Sequence, residues 1–199
     1  ARSVADDASE MYNPLVIFGE TATGKTHLLH AIAHELDVER VECLPAERFV
    51  NRYVAAIQND NIDKLRRRWR HEVDALFIDD LQFMVEKEPS SEELVHTIDA
   101  LEQQNCQIVF TLNGAPGRID GLDERLKSRL MTGLSVELKQ PAVETRIRMI
   151  ESMADRQDID LGEHLVERIA RRIGSSASRL QGLMVRLGAK STLMGVDVD

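Results

Sequence analysis

The stretch Gly19-Glu20-Thr21-Ala22-Thr23-Gly24-Lys25-Thr26 decides the fold of this chain, because it matches the phosphate-loop pattern G-x-x-x-x-G-K-[ST]. The apolar run Leu15-Val16-Ile17-Phe18 precedes it and predicts a buried strand. The segment from His27 to Leu36 follows it with helical spacing and without a helix breaker. A strand, a glycine-bearing loop and a helix in this order aim backbone N–H groups and the positive end of the helix at an anion.

The motif gives a separate task to each of its last two residues. Lys25 is placed to neutralise the β- and γ-phosphates of a nucleotide, and the Thr26 hydroxyl is placed to bind Mg²⁺. The predicted nucleotide-binding residues are Gly19, Glu20, Thr21, Ala22, Thr23, Gly24, Lys25, Thr26 and His27.

Short apolar runs alternate with helical patterns over residues 1–139, which predicts an α/β domain with a parallel five-stranded sheet covered by helices on both faces. The predicted strands are Leu15 to Phe18, Val41 to Leu44, Ala75 to Ile78, Ile108 to Thr111 and Leu134 to Leu138. The predicted helices between them are Thr26 to Leu36, Ala46 to Gln58, Ile62 to His71 and Ser91 to Gln103. The last strand alternates apolar and polar residues, which is typical of an edge strand with one wetter face.

The pattern changes at Gln140-Pro141, after which only helices are predicted. These helices span Ala142 to Arg156, Glu163 to Ile173 and Ser178 to about Leu193. We therefore predict two domains, a nucleotide-binding domain over 1–139 and a small all-α lid of three helices over 140–199.

Composition limits the functions that this chain can have. With 43% hydrophobic and 30% charged residues, the 199-residue chain is typical of a globular protein. Its formal charge of −9 argues against duplex-DNA binding through a globally basic surface, although a local basic patch stays possible. No apolar run is long enough to span a bilayer, and no signal peptide opens the chain. Cys43 and Cys106 form no metal-binding spacing and are expected as apolar side chains in a reducing cytosol, so we expect a cytoplasmic protein.

Two acids follow the third predicted strand in the stretch Phe77-Ile78-Asp79-Asp80. After a phosphate loop, the first acid is expected to hold the Mg²⁺ shell together with Thr26, and the second to orient the attacking water. Asp is also common at ordinary strand-to-loop junctions. Because Asp80 has a shorter side chain than Glu, we expect slow hydrolysis.

Three further polar positions each allow two interpretations. Asn113 either contacts the γ-phosphate or its water, or serves as a turn residue beside Gly114. Arg129 either lies on a solvated helix face four residues from Arg125, or reaches a neighbouring subunit's γ-phosphate. Arg179, near the start of the last helix, is either a phosphate contact from the lid or a surface residue.

The densest basic run is Lys64-Leu65-Arg66-Arg67-Arg68-Trp69-Arg70. Cations beside an aromatic residue suit single-strand binding, whereas a solvated helix face with a buried Trp is the commoner arrangement. We favour a core position for Trp69 and phosphate contacts for some of the arginines, with Arg66 and Arg67 as the candidates.

Taken together, these residues resemble the AAA+ ATPase domain of the bacterial replication initiators of the DnaA family. The matching segments are Tyr12-Asn13-Pro14-Leu15, Gly24 to Ile32, Glu47-Arg48-Phe49-Val50, Ile78-Asp79-Asp80-Leu81-Gln82-Phe83, Gly121 to Arg129 and Glu144-Thr145-Arg146.

The resemblance implies ATP or ADP and Mg²⁺ as cofactors and a weak, switch-type ATPase activity. By position it implies Walker A roles for Lys25 and Thr26, Walker B roles for Asp79 and Asp80, sensor 1 for Asn113, the arginine finger for Arg129, a second interface arginine at Arg125, and sensor 2 for Arg179.

It also implies an ATP-dependent homo-oligomer, a filament that opens origin DNA and grips one strand. The helical insertion at about 46–70 would form the grip, with Val54 and Lys87 as candidate contacts beside Arg66 and Arg67. A replicative helicase or an initiator regulator is a possible further partner.

Several departures from the family pattern keep alternatives open. Glu20 and Ala22 stand where the family usually carries glycine, Asn113 where it has Asp, and Pro89 where it is often basic. A related AAA+ regulator, a helicase-loader-like ATPase and a nucleotide-binding scaffold without hydrolysis therefore stay open. A C-terminal helix-turn-helix module in the gene product would favour an initiator, and a turnover measurement would test the scaffold.

Overall fold

A computed structural model describes residues 12–157, 159–172 and 177–194 of the chain. These residues divide into two compact units, one of residues 12–19 with 25–138, and one of residues 20–24 with the described residues after 138. Residues 20–24, which were assigned to the first domain from the sequence, thus group with the second unit. The separate roles of nucleotide-binding domain and lid stay a prediction.

The sheet has five parallel strands in the order β2-β3-β4-β1-β5. They are β1 (Leu15–Phe18), β2 (Val41–Pro45), β3 (Ala75–Asp79), β4 (Gln107–Leu112) and β5 (Leu134–Glu137). This confirms the predicted fold class and places β5 at an edge, as its alternating pattern indicated. Because β1 pairs with β4 and β4 pairs with β3, the carboxyl ends of these three strands lie side by side, where ligands bind in open α/β sheets.

Eight α-helices are present among the described residues, together with 3₁₀ turns at Leu81–Met84 and Pro116–Arg118. They are α1 (Lys25–Glu35), α2 (Ala46–Gln58), α3 (Ile62–His71), α4 (Glu88–Glu102), α5 (Glu124–Leu130), α6 (Val143–Arg156), α7 (Glu163–Arg172) and α8 (Ala177–Met194). Helix α4 begins three residues before the predicted Ser91, with Pro89 in its first turn, where a missing N–H costs nothing.

The period of two in β1 divides the core of the first unit into two clusters. Val16 faces a cluster that includes Phe49 of α2, while Leu15 and Ile17 face a second cluster that includes Leu29 of α1. Helices therefore bury apolar side chains on both faces of the sheet.

Helices α2 and α3 pack together through the rings of Phe49 and Trp69, which stack with their centroids 4.1 Å apart. Trp69 is fully buried, so its predicted place in the core is confirmed. Its stacking adds about 1 kcal/mol to the burial of the ring, which fixes α3 against α2.

Helices α6, α7 and α8 form their own core, in which Ile150, Val166, Leu180 and Met184 are buried. Arg146 joins α6 to α7 and to the segment before α6, since its guanidinium donates to the carbonyl oxygens of Ala170 and Pro141, each at 2.8 Å. The predicted helical end at Ile173 lies outside the described residues. Within the part of the chain that the structure describes, no helix has both the length and the apolar composition needed to cross a membrane.

Candidate nucleotide-binding site

The loop between β1 and α1 is anchored at Gly19, whose N–H donates to the Leu112 carbonyl at the end of β4, at 3.2 Å. A Cβ atom on Gly19 would lie 2.2 Å from the carbonyl oxygen of Leu138, so only glycine fits there. Gly24 has φ +103°, a conformation that side chains rarely adopt. The two glycines of the motif are thus required by close packing at one end of the loop and by backbone conformation at the other.

Ala22 also takes a left-handed conformation, with φ 65°. The loop is closed locally by Thr23, whose hydroxyl donates to the Glu20 carbonyl at 3.0 Å. An alanine in the left-handed region costs about 1 kcal/mol relative to glycine. Ala22 therefore takes the left-handed conformation that favours glycine, although it stands at one of the two positions where the expected glycine is replaced.

Lys25 begins α1, and its ammonium group donates to the Gly19 carbonyl at 3.0 Å. The side chain is buried, and burial lowers the pKa of Lys25, while the nearby carboxylates of Asp80 and Asp79 oppose that effect. Burial disfavours the ammonium charge, which makes an anion at this position more favourable than at an exposed lysine.

Thr26 and Asp79, the two residues predicted to hold Mg²⁺, are in direct contact. The Thr26 hydroxyl donates to Asp79 Oδ2 at 2.7 Å, although the two residues come from α1 and β3. The other carboxylate oxygen, Oδ1, accepts a hydrogen bond from the Thr111 hydroxyl of β4. A hydroxyl and a carboxylate in contact fit a hard cation such as Mg²⁺, which prefers oxygen ligands.

Thr111 and Gln82 belong to the site but were not recognised as site residues from the sequence. Buried Thr111 accepts from the Asp80 N–H at 2.8 Å, and the Gln82 amide donates to Asp80 Oδ1, also at 2.8 Å. Gln82 in turn accepts from the Asn113 N–H at 3.3 Å. The one available signal for Thr111 was a hydroxyl within the apolar run of β4.

Arg129 and Arg125 both lie on α5, and each pairs with an acid of α4. Arg129 Nε lies 2.8 Å from Asp99 Oδ1, and Arg125 Nη1 lies 3.8 Å from Glu92 Oε1. The second pair is largely exposed, so its contribution to stability is small. In this structure both arginines therefore contact acids of their own chain.

The remaining predicted nucleotide contacts are solvent-exposed. Thr21 lies within the loop, His27 lies in the first turn of α1, and Arg179 lies on α8 in the second unit. The carboxylate of Glu20 accepts from the Gln140 amide at 2.7 Å. This contact gives the replaced glycine position a specific partner for its charge.

Two of the predicted DNA contacts, Val54 and Lys87, are exposed. Val54 lies on α2 with 42% of its surface accessible, and Lys87 precedes α4. Phe83 of the neighbouring 3₁₀ turn is also exposed, at 54%. Helix α2, which carries Val54, packs against the turn that carries Phe83.

The arginines of α3 are largely engaged in ion pairs within the chain. Arg66 and Arg70 both bind the carboxylate of Glu93, which is 2% exposed. Buried Glu42 of β2 is bound in the same way by Arg68 of α3 and Arg52 of α2. Arg67, by contrast, is mostly exposed, with only a loose contact of 3.4 Å to Glu72. Of the two arginines proposed for DNA, Arg67 is therefore the more accessible.

The family model for the bacterial DnaA ATPase domain matches residues 1–137, more than half of the chain. This chain belongs to that family. The Walker A, Walker B and sensor 1 positions predicted from the resemblance all fall within the matched region.

Solved structures of DnaA proteins have the same fold. Domain III of the Thermotoga maritima replication initiation protein DnaA is 32% identical with a TM-score of 0.93, and the match covers 100% of this chain and 84% of that one. A replication initiator DnaA bound to AMPPCP and single-stranded DNA is 27% identical with a TM-score of 0.86, covering 95% and 59%. AMPPCP-bound DnaA from Aquifex aeolicus is 27% identical with a TM-score of 0.85, covering 98% and 60%. The chain thus spans about three fifths of these longer DnaA chains.

A more distant likeness defines only the fold. The RuvB Holliday junction branch migration motor of Thermotoga maritima is 20% identical with a TM-score of 0.73, covering 98% of this chain and 62% of that one. Family and fold together identify the chain as an AAA+ ATPase domain of the DnaA type.

Proposed function

We propose that this protein is the ATP-dependent oligomerising switch of a DnaA-type replication initiator in the bacterial cytoplasm. The observation that carries the proposal is the convergence of Lys25, Thr26, Asp79 and Asp80 at the carboxyl ends of β1 and β3. An ammonium group, a hydroxyl and two carboxylates at a phosphate loop suit binding and hydrolysis of a nucleoside triphosphate with Mg²⁺.

Thr26 and Asp79 would hold the metal, because their oxygens meet at 2.7 Å. A bound Mg²⁺ would neutralise charge on the β- and γ-phosphates. The Thr111 hydroxyl on Asp79 Oδ1 fixes the rotamer of the carboxylate and leaves Oδ2 directed toward Thr26.

Asp80 is the residue that we expect to orient the attacking water, with Asn113 and Arg179 as contacts of the γ-phosphate. The Asp80 side chain is one methylene shorter than Glu and is already engaged by Gln82. The shorter side chain supports slow hydrolysis, which suits a switch that stays assembled until its ATP is spent.

Arg129 would complete the nucleotide site of a neighbouring subunit. A guanidinium supplied in trans stabilises charge on the γ-phosphate and makes assembly depend on which nucleotide is bound. The position of Arg129 on α5 supports this role, since the side chain is 41% exposed despite its contact with Asp99.

The single-stranded DNA contact would form on the insertion helices α2 and α3 and the segment before α4. The DnaA relative bound to AMPPCP and single-stranded DNA supports this class of ligand. Exposed Val54, Lys87 and Arg67 are the available contacts, whereas Arg66 would first have to leave buried Glu93. A replicative helicase or an initiator regulator would act on the assembled form.

Fluorescence anisotropy of a labelled single strand, with ATP and with ADP, tests the proposal. We expect tighter binding with ATP, a loss of the nucleotide effect in Lys25→Ala, and weaker binding in Val54→Ala and Lys87→Ala. Arg156→Ala, which removes an exposed cation from α6, serves as the charge control. Equal affinity for the strand with ATP, with ADP and without nucleotide would contradict the proposed switch.

A further inference from the structure

Gln82 occupies the point where the second acid and the end of β4 meet. It lies in the 3₁₀ turn that follows Asp80, and its amide group bonds in two directions. Nε2 donates to Asp80 Oδ1 at 2.8 Å, and Oε1 accepts from the Asn113 N–H at 3.3 Å. One side chain thus joins the acid expected to orient the water to the residue at the sensor 1 position.

The orientation of the amide follows from the chemistry of its two partners. A carboxylate only accepts hydrogen bonds, and a backbone N–H only donates them. Rotating the amide by 180° would place two acceptors together at Asp80 and two donors together at Asn113. The arrangement with one bond at each end is therefore the stable one.

The backbone at Asp80 is arranged so that this contact can form. Asp80 has φ 54°, a left-handed conformation that non-glycine residues adopt only occasionally. Its N–H is fixed by the Thr111 hydroxyl, which turns the chain so that the residue two positions later reaches back to the carboxylate. Strain of this kind persists only where surrounding contacts hold it, and it is frequent at functional sites.

We propose that Gln82 is a positioning residue for ATP hydrolysis, which holds Asp80 and couples its position to the segment after β4. This inference rests on the proposed function, because it requires ATP at the phosphate loop. Gln82 occupies Oδ1 of Asp80 and leaves Oδ2 as the oxygen that accepts from the attacking water. A movement of Asn113 toward the γ-phosphate pulls on Oε1 of Gln82, and its other end carries the movement to Asp80.

The chemical step balances without a further reactant. The water oxygen forms a bond to the γ-phosphorus as the bond from that phosphorus to the β,γ-bridging oxygen breaks. The bridging electron pair leaves with ADP, and the water proton passes by way of Asp80 Oδ2 to the phosphate product. Gln82 takes no proton and acts only through Asp80.

Two variants separate the two bonds of the amide. Gln82→Met keeps the length of the side chain but removes both bonds. Gln82→Glu keeps an acceptor for the Asn113 N–H and replaces the donor at Asp80 with a second carboxylate. Gln104→Met is the matched control, because Gln104 donates to the carbonyls of Arg70 and Ala100, away from the acids.

The measurement is the hydrolysis rate at saturating ATP, together with the affinity for a non-hydrolysable ATP analogue. For Gln82→Met we expect kcat to fall by about tenfold to a hundredfold, because a small misplacement of a reacting group has this effect. The affinity should stay within about twofold, since Gln82 contacts no loop residue in the described bonds. The control should keep both quantities within about twofold of the wild type.

The pH dependence gives a readout that a merely structural role would not produce. Relative to wild type, Gln82→Glu should regain rate as the pH is lowered from about 8 to about 6, because a protonated carboxyl can again donate to Asp80. Gln82→Met should show no such recovery. Melting curves of both variants check that the fold is retained, and Gln82→Glu serves as the test if Gln82→Met fails to fold.

An unchanged kcat in the folded variant would overturn the role of Gln82 while leaving the proposed function intact. A tenfold loss of affinity in Gln82→Met with normal kcat would also overturn it, since that assigns Gln82 to binding. Absence of ATP uptake by the wild type would refute the proposed function and this inference together.

Discussion

Arg129 Nε lies 2.8 Å from Asp99 Oδ1, so the arginine at the finger position is paired with an acid of its own chain. Glu102 lies one turn after Asp99 on α4. Burial raises the pKa of the Glu102 carboxyl group, and the nearby Arg129 partly offsets this rise. Arg129 thus has favourable interactions before any neighbour arrives. If Arg129 engages a neighbouring subunit's nucleotide as proposed, that contact would have to replace the contact with Asp99.

Asp99→Asn should promote ATP-dependent assembly. The ion pair is partly exposed and contributes up to about 1 kcal/mol, so the protein concentration for half-assembly should fall about twofold to fivefold. Analytical ultracentrifugation over a concentration series with ATP measures this shift. Glu92→Gln is the control, since it neutralises an acid near Arg125 instead of Arg129. A shift of equal size in the control, or no shift in Asp99→Asn, would contradict the idea that Asp99 and a neighbouring nucleotide compete for Arg129.

Glu102 should make stability fall as the pH rises. Burial raises the pKa of Glu102 above its ordinary value of 4.5, and Asp99 raises it further, while Arg129 opposes both. Between the unfolded pKa of 4.5 and the raised pKa of the folded state, the folded protein binds more protons than the unfolded one. The free energy of unfolding therefore falls across that range as the pH rises. Above it the penalty is complete. Glu102→Gln should raise the melting temperature at pH 8 and have little effect at pH 4, and the reverse pattern would contradict the assignment.

Ala22→Gly should stabilise the loop conformation. Alanine at φ 65° is strained, and glycine removes a strain of about 1 kcal/mol, part of which is offset by its greater unfolded-state entropy. We expect a gain of up to about 0.5 kcal/mol in the free energy of unfolding, measured with denaturant. Ala31→Gly, on the exposed side of α1, should have the opposite sign and cost about 1 kcal/mol. A loss of stability in Ala22→Gly would show that the left-handed conformation is absent in solution.

Glu93→Gln should destabilise the insertion helices. The substitution leaves Arg66 and Arg70 without their carboxylate partner, and Glu93 is the buried member of the cluster. Because both arginines keep partial access to water, we expect a loss of about 2 kcal/mol, below the usual cost of breaking a fully buried pair. Glu124→Gln removes an exposed carboxylate from α5 and should change stability by less than about 0.5 kcal/mol. Similar losses in the two variants would contradict the stabilising role of the ion pairs of Arg66 and Arg70 with Glu93.

The bounds of several strands and helices could be predicted from the sequence, because the hydrophobic patterns that indicate them are local. The apolar run Leu15-Val16-Ile17-Phe18 forms β1 with the predicted bounds, and Ile62–His71 forms α3 likewise. The contact of Thr26 with Asp79 could also be expected, since a phosphate loop and a strand-end acid recur in a fixed geometry.

The contacts that the sequence did not reveal join residues far apart in the chain. Thr111 meets Asp79 only because β4 lies beside β3, and that neighbour relation is a property of the sheet. The basic run on α3 was predicted as a candidate DNA contact. Its acidic partners, Glu42 and Glu93, lie elsewhere in the sequence, so the ion pairs that engage its arginines could not be seen in the local pattern. Charge density along a helix therefore overstated how many cations are available to a ligand.

The mass of the protein in solution, measured by light scattering with ATP and Mg²⁺, with ADP and without nucleotide, tests the central claim most directly. We predict a rise in mass with ATP alone, and no rise in Arg129→Ala although that variant still binds ATP. A mass that is the same in all three conditions, or an ATP-dependent rise that persists in Arg129→Ala, would contradict the account.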